Sequence, residues 1–258
     1  MDTTLGIDLG TQSLKVVFYD FNSREIVATA SSPLDVIRDE NGKAEQDANW
    51  WLAALQQSLQ EINEDIRMSV RAIAVSGQQH GFVPINNNGE VLHTVKLWCD
   101  TETQQECDEM AEVCGGQERC IELAGNPILT GYTAPKIRWL RKHFPRKYRD
   151  MTKILLPHDY LNYIMTDKAV MEYGDASGTA LFDVRNRCWS PDLLKSVDAS
   201  RDLSDCLPEL VEPGDVIGHT TPLFSQEYGL PVGIPVAPGG GDNMMAAIGT
   251  GNVSTGKL

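Results

Sequence analysis

The sequence predicts an α/β fold, a mixed sheet flanked by helices, and three observations carry that expectation. Short apolar runs at residues 5–7, 16–19 and 25–30 are joined by polar turns and read as a β-meander. A stretch of helical periodicity follows, with Trp51, Leu55, Leu59 and Ile62 on one face. Residues 70–75 then form an apolar run with β-branched members, the mark of a central strand. Strand and helix in alternation is the pattern of an α/β chain.

Composition narrows the class. The 258 residues suffice for one large domain or two small ones, and the 41% hydrophobic and 22% charged content is that of a packed soluble protein. Lys and Arg number 22 against 36 Asp and Glu, a formal net charge of -14. That balance disfavours nonspecific nucleic-acid binding, which needs basic side chains to neutralise phosphates. It leaves anionic substrates open, because a local backbone nest or a metal overrides the global field. No run approaches the apolar length of a membrane span. The opening MDTTLG lacks the basic-then-apolar order of a signal peptide, so a cytoplasmic protein is expected. Cys99, Cys107, Cys114, Cys120, Cys188 and Cys206 form no C-x-x-C pair, so free thiols are expected and zinc is not.

Taken in order, residues 5–15 read LGIDLGTQSLK. Asp8 ends the first run, and Gly10 and Thr11 make a turn. Gly10 can take a positive φ and admit a ligand to the backbone. Thr11 and Ser13 add hydroxyls, and consecutive N–H groups in a turn can form an anion nest. Asp8 is a seat for hydrated Mg2+, which takes only one or two carboxylates. The alternative is that these are ordinary turn residues. The G-x-x-x-x-G-K-[ST] phosphate loop is absent.

Residues 31–46 are polar and irregular. Asp47 is an N-cap for a helix to about residue 66, in which Trp50 or Trp51 anchors the core. The strand at 70–75 runs into Ser76-Gly77-Gln78-Gln79-His80-Gly81, and strand ends of α/β sheets are where ligands sit. Gln and neutral His both donate and accept, which suits a polyol; the alternative is a histidine that merely orients its loop. Residues 82–85 and 95–98 read as a hairpin closed by Trp98, Cys99 and Asp100. Residues 103–113 and 117–124 are helical, broken by Gly115-Gly116, within a helical layer spanning about 107–140. Thr133-Ala134-Pro135 starts another helix, with the threonine as N-cap.

Residues 154–156 read as a strand and Pro157 opens a helix, where Asp159 serves as cap and packing. Residues 175–179 are a small-residue loop, 181–184 a short strand, and Ser190-Pro191 a helix start. Residues 222–228 form one more helix. The strand at 232–238 leads into Gly239-Gly240-Gly241-Asp242-Asn243 and an apolar, small-residue helix for which Asp242 is a natural N-cap. Three glycines cost about 0.5–1 kcal/mol each relative to Ala, so a ligand lying against bare backbone is one reason for them. Residues 249–258 have turn composition and lead toward a further strand.

DLGTQSLK resembles the first phosphate loop of the carbohydrate kinase family that includes xylulokinase, glycerol kinase and gluconokinase, within the actin, Hsp70 and hexokinase superfamily. SGQQHG, LWCD (97–100), GYTAPK (131–136), LLPHDYL (155–161), DASGT (175–179) and GGGDN follow in the order the family shows. The set is similar to bacterial xylulokinases in particular and spans nearly the whole chain.

The resemblance implies a ribonuclease H-like mixed sheet flanked by helices, with an inserted helical region at about 99–187. It implies that residues 1–258 are an N-terminal sugar-binding domain, that the C-terminal ATP-binding domain is absent, and that the piece alone turns over little. Asp242 is then the catalytic base, and Asp8 lies near Mg2+ and the phosphates. Gly10, Thr11, Gln12, Ser13 and Lys15 face ATP, while Gln79, His80, Asn243, Asp242 and Asp100 hold sugar. GYTAPK lines the cleft mostly as scaffold, with Lys136 steadying the domain. The implied reaction is ATP-dependent phosphorylation of a ketopentose, D-xylulose first, with ATP and Mg2+ as cofactors. Two departures bear on the substrate. Gln79 stands where related xylulokinases often carry Met, and Thr101 and Glu102 follow Asp100 where glycerol kinase relies on arginine. The alternatives are a kinase for ribulose, rhamnulose, gluconate or glycerol, an actin- or Hsp70-type ATPase, and a noncatalytic sugar sensor. A homodimer is the generic expectation.

Overall fold

A computed structural model describes residues 1–256; Lys257 and Leu258, at the end of the turn-rich 249–258 stretch, lie outside the described residues. The main sheet contains β1 (Thr3–Leu9), β2 (Ser13–Asp20), β3 (Glu25–Pro33), β4 (Val70–Gly77), β5 (Gly218–His219), β6 (Pro235–Val236) and β7 (Gly240–Gly241). Its order is β5-β6-β4-β1-β2-β3, with β7 also paired to β4. The expected meander is present, since β1, β2 and β3 pair antiparallel in sequence order. β1, β6 and β7 each run parallel to β4, which makes the sheet mixed.

Alternation along the strands sets the core. Leu5, Ile7 and Leu9 of β1 and Leu14, Val16 and Phe18 of β2 are buried on one face. Thr4, Asp8, Val17, Lys15 and Tyr19 on the other face are half-buried or exposed. Helix α1 (Ala48–Gln60) covers the apolar face with Trp51, Leu55 and Leu59. Asp47 caps it, its carboxylate accepting the Asn49 N–H at 2.9 Å. The helix stops short of residue 66. Asn63 accepts the Asp65 N–H at 2.8 Å and starts a separate short helix, Glu64–Arg67, because its amide competes with the helical ladder.

The inserted region builds a second core. Helices α2 (Gln104–Cys114) and α3 (Thr133–His143), with Gln117–Ala124 and Pro191–Val197, bury Cys107, Met110, Cys120, Ile137, Leu140 and Val197 together. Ser190 caps the last of these as expected, whereas Tyr132 rather than Thr133 occupies the N-cap position of α3. The hairpin expected from residues 82–85 and 95–98 does not form. Val83–Ile85 pairs with Lys153–Leu155, and Val95–Lys96 pairs with Ala44–Gln46, leaving one bridge from Phe82 to Lys96 between the two arms. The second pairing buries Lys96 beside Glu45, an ionic preference that alternation of apolar residues does not reveal. Helix α4 (Pro157–Thr166) starts at its proline as expected, and α5 (Asp242–Gly249) follows β7. The cysteines are free. No described helix is long and apolar enough to cross a membrane.

Candidate active site

Three parallel strands end side by side. Asp8 of β1 lies opposite Ser76 of β4, Ser76 lies opposite Gly240 of β7, and Gly77 lies between Leu9 and Gly241. Their carboxyl ends release three segments into one region: the turn at 10–12, the loop at 78–81 and the start of α5. This is the crevice position that α/β sheets use for ligands.

A cavity of about 300 Å³ lies there, lined by Thr11, Gln79, His80, Trp98, Asp242 and Asn243. A second cleft is lined by Asp8, Ser76, Asp242, Asn243, Met245 and Ala246. Asp242 and Asn243 therefore line both spaces. Asp242 is not the N-cap of α5. Gly241 takes that position, and Asp242 is the first helical residue, its Oδ1 accepting the Asn243 N–H at 2.7 Å. Burial raises the Asp242 carboxyl above its ordinary value, and the charges of Asp8 and Asp175 add to this against the Asn243 N–H. A carboxylate made more basic and set between two spaces is suited to taking a proton from a hydroxyl.

His80 sits in a left-handed backbone conformation, φ 64, which is uncommon for a residue with a side chain. Its carbonyl accepts from Lys136 Nζ at 2.9 Å and from Thr133 Oγ1 at 3.3 Å. Lys136 is fully buried and also donates to the Gly131 carbonyl at 2.6 Å. Burial pushes its amine down to about 7. Burial, reinforced by Lys136, pushes the His80 imidazole down to about 4. His80 is thus neutral near pH 7, with one nitrogen to donate and one to accept. Its ring stands edge-on to Tyr132, 4.9 Å between centroids.

Gln79 donates from Nε2 to Asp175 Oδ1 at 3.1 Å and accepts from Asn243 Nδ2 at 3.3 Å. The Thr11 hydroxyl donates to Gln78 Oε1 and accepts from the Trp98 indole, each at 3.0 Å. Thr11 therefore faces the cavity with Gln79 and His80. Gln12, Ser13 and Lys15 line neither space: Gln12 and Lys15 are exposed, and the Ser13 carbonyl accepts the Gly10 N–H at 3.0 Å. Gly10 has no positive φ, and a Cβ there would approach that carbonyl to 3.2 Å. Asp100 is brought elsewhere. It is fully buried, accepting from the Ala44 N–H at 2.9 Å, from the Glu102 N–H at 3.1 Å and from Lys96 Nζ at 3.1 Å.

The glycine run has a structural cause other than bare backbone against a ligand. Gly239 has φ +71, and a Cβ on it would lie 1.9 Å from the Val75 carbonyl oxygen. A Cβ on Gly241 would lie 2.5 Å from Gln79 Nε2 and 2.7 Å from Asp175 Oδ1. Both positions let β7 close onto β4 and its loop.

Sequence reasoning passed over Trp98 and Asp175 as site residues. Trp98 is 52% exposed at the cavity, a placement unusual enough for a tryptophan to mark a contact surface. Asp175, in the DASGT run, carried no local sign of its partner at Gln79. Trp51, in contrast, is a core residue whose indole donates to Gln46 Oε1 at 3.0 Å.

The carboxylate donors of the cleft are of the kind a divalent cation takes. Asp8 and Asp242 line one space, and the charge of Asp8 raises Asp242, an electrostatic conflict that a bound cation relieves.

Residues 3–249 match the model of the FGGY family of carbohydrate kinases, N-terminal domain. The chain is 41% identical to the xylulose kinase of Haemophilus influenzae, over 98% of this chain and 52% of that protein. A solved structure described as a xyloylose kinase from Brucella ovis superposes with TM-score 0.89 at 30% identity, over 98% of this chain and 51% of that one. The glycerol kinase of Plasmodium falciparum has the same fold, TM-score 0.89 at 23% identity, over 100% of this chain and 52% of that one. The chain spans about half the length of the curated relatives it matches.

Proposed function

The chain belongs to the FGGY family of carbohydrate kinases, and from that premise we propose that it carries the sugar site and general base of an ATP-dependent ketopentose kinase, with D-xylulose as substrate. The observation that carries this reading is the position of Asp242, which lines both the cavity with Gln79 and His80 and the cleft with Asp8. The relatives named as xylulose kinases support the choice of sugar.

The sugar lies in the cavity, its hydroxyls held by Gln79, neutral His80 and Asn243, with Trp98 flanking it. Asp242 accepts the proton of the terminal hydroxyl. The oxygen so freed attacks the γ-phosphorus of ATP, forming a new P–O bond while the bond to the ADP oxygen breaks. Asp8 would hold Mg2+, which supplies charge neutralisation at the transferring phosphate. The amino end of α5 faces the same cleft and favours negative charge there. We assign residues 1–258 to a sugar-binding unit with an inserted subregion at about 99–187.

The test is Asp242→Asn in the full-length protein. Turnover should fall by about 10²–10⁴-fold while the affinity for D-xylulose stays within a fewfold. Turnover within about tenfold of wild type would remove Asp242 as the base. Preferential phosphorylation of another polyol would keep the chemistry and change the substrate.

A further inference from the structure

Next to the cavity lies a buried ionic cluster. His158, at the start of α4, has Nδ1 2.8 Å from Asp175 Oδ2 and Nε2 3.1 Å from Asp159 Oδ1. His158, Asp159 and Asp175 are at most 1% exposed. Glu172 lies beside them, its carboxylate accepting the Gly174 and Asp175 N–H groups. Burying this much charge opposes folding unless every member is paired, and such a cluster is weak as a source of stability. Among the described residues it reaches the cavity through a side-chain hydrogen bond from Gln79 Nε2 to Asp175 Oδ1.

We propose that His158 and Asp175 are positioning residues that fix which way round the Gln79 and Asn243 amides lie, and so which donors and acceptors the sugar meets. The proposal rests on the reading of Gln79 and Asn243 as sugar contacts. An amide side chain has a donor end and an acceptor end, and a half-turn exchanges them. An ionised carboxylate only accepts. Asp175 therefore selects the N–H end of Gln79 and turns Oε1 away from itself. That oxygen accepts Asn243 Nδ2, which fixes the second amide in turn. His158 Nδ1 stands 2.8 Å from the other oxygen of Asp175, and this ion pair favours the observed setting of the carboxylate.

Two further observations support the relay. Burial alone would lower the His158 imidazole, but Asp159 and Asp175 outweigh it and hold it up to about 9, so it faces Asp175 as a cation. Burial raises Asp159 to about 7 against the pull of His158, and burial also raises Glu172. Gly241 is the second observation. Its φ of -61 is open to any residue, yet a Cβ there would strike both ends of the Gln79–Asp175 hydrogen bond.

The experiment follows side-chain amides by nuclear magnetic resonance in this chain, with Asp175→Asn and Gly241→Ala as variants. Asp175→Asn lets Gln79 bond in either orientation. Gly241→Ala pushes the contact apart while leaving the chemistry of both partners unchanged. In wild type the Gln79 side-chain N–H should exchange about tenfold or more slowly than that of exposed Gln12. Both variants should lose that protection and shift the Asn243 amide signals. Unprotected Gln79 in wild type, protection retained in both variants, or a His158 ring found neutral at pH 7.5 would each overturn the relay. If Asp175→Asn fails to fold, Gly241→Ala and the ring state of His158 still decide. D-xylulose titration completes the design: where wild type binds, the variants should bind at least about tenfold more weakly. A wild type that binds no sugar contradicts the function proposed above, while the amide signals still settle the relay.

Discussion

The Trp98 indole donates to the Thr11 hydroxyl at 3.0 Å, joining the turn after β1 to the segment that carries Trp98 at the cavity. The same hydroxyl donates to Gln78 Oε1 at 3.0 Å, and Gln78 Nε2 reaches Gln46 Oε1 at 2.9 Å. Thr11 thus links the first turn to the strand end that carries Gln79. Thr11→Val keeps the shape and removes the hydroxyl. We expect the Trp98 contribution to fluorescence, isolated by difference from Trp98→Phe, to shift to the red, and D-xylulose affinity to fall by about 3–10-fold, the worth of a hydrogen bond. Unchanged fluorescence and affinity would show that the link is idle.

Lys136 supplies the carbonyl contact that holds His80 in its left-handed conformation. Lys136→Met leaves the His80 and Gly131 carbonyls without this donor and should destabilise by about 2–4 kcal/mol in urea unfolding. The pH dependence adds a sign. The folded amine sits at about 7 against 10.5 when free, so between these values the unfolded chain binds more protons and folding stability rises with pH. Wild-type stability minus that of Lys136→Met should therefore grow by roughly 2–4 kcal/mol from pH 7 to 10. A flat difference would contradict the buried, weakly basic lysine.

Lys96 is the cation of a buried cluster, with Glu45 and Asp100 each 3.1 Å away and Glu102 in contact. Burial would lower its amine, but Glu102, Asp100 and Glu45 outweigh that and raise it. Lys96→Met leaves these carboxylates facing one another and should cost about 3–5 kcal/mol near neutral pH. In that variant the folded carboxyls are raised above their unfolded values, so stability should recover as pH falls through them. A thermal midpoint that does not rise from pH 7.5 to pH 5, relative to wild type, would refute this account.

Asp242 should titrate above an ordinary aspartate, through burial first and the Asp8 charge after it. Carbon-13 resonance of the Asp242 carboxyl in the free chain should show this, and Asp8→Asn should lower the value. In the full-length protein the acid limb of turnover should follow the same group, since only the deprotonated form takes a proton. An Asp242 titration unmoved by Asp8→Asn would separate the two carboxylates.

Much of this architecture was legible because local signals determine it. Asp47, Ser190 and Pro157 marked helix starts, and apolar runs between polar turns marked β1 and β2. The loop with Gln79 and His80 was legible as a strand end, and the family resemblance placed Asp242 and Asn243 beside it, where they line the same cavity. Pairings at a distance were not legible. Nothing in residues 83–85 names 153–155 as partner, and nothing in a polar run announces that Lys96 or Lys136 is buried. Asp100 was expected at the site because the resembled family has an acidic residue near the substrate there, yet its carboxylate turns inward to Lys96 and the Ala44 N–H. The reason for Gly241 became visible only with Gln79 and Asp175 in place.

The most direct test of the central claim is calorimetric titration of this chain with D-xylulose, D-ribulose, L-rhamnulose, gluconate and glycerol, without ATP. Saturable heat with D-xylulose, abolished in the double variant Gln79→Ala/His80→Ala, is the predicted result. Saturable binding of another polyol in preference to D-xylulose, or D-xylulose binding that survives the double variant, would contradict it.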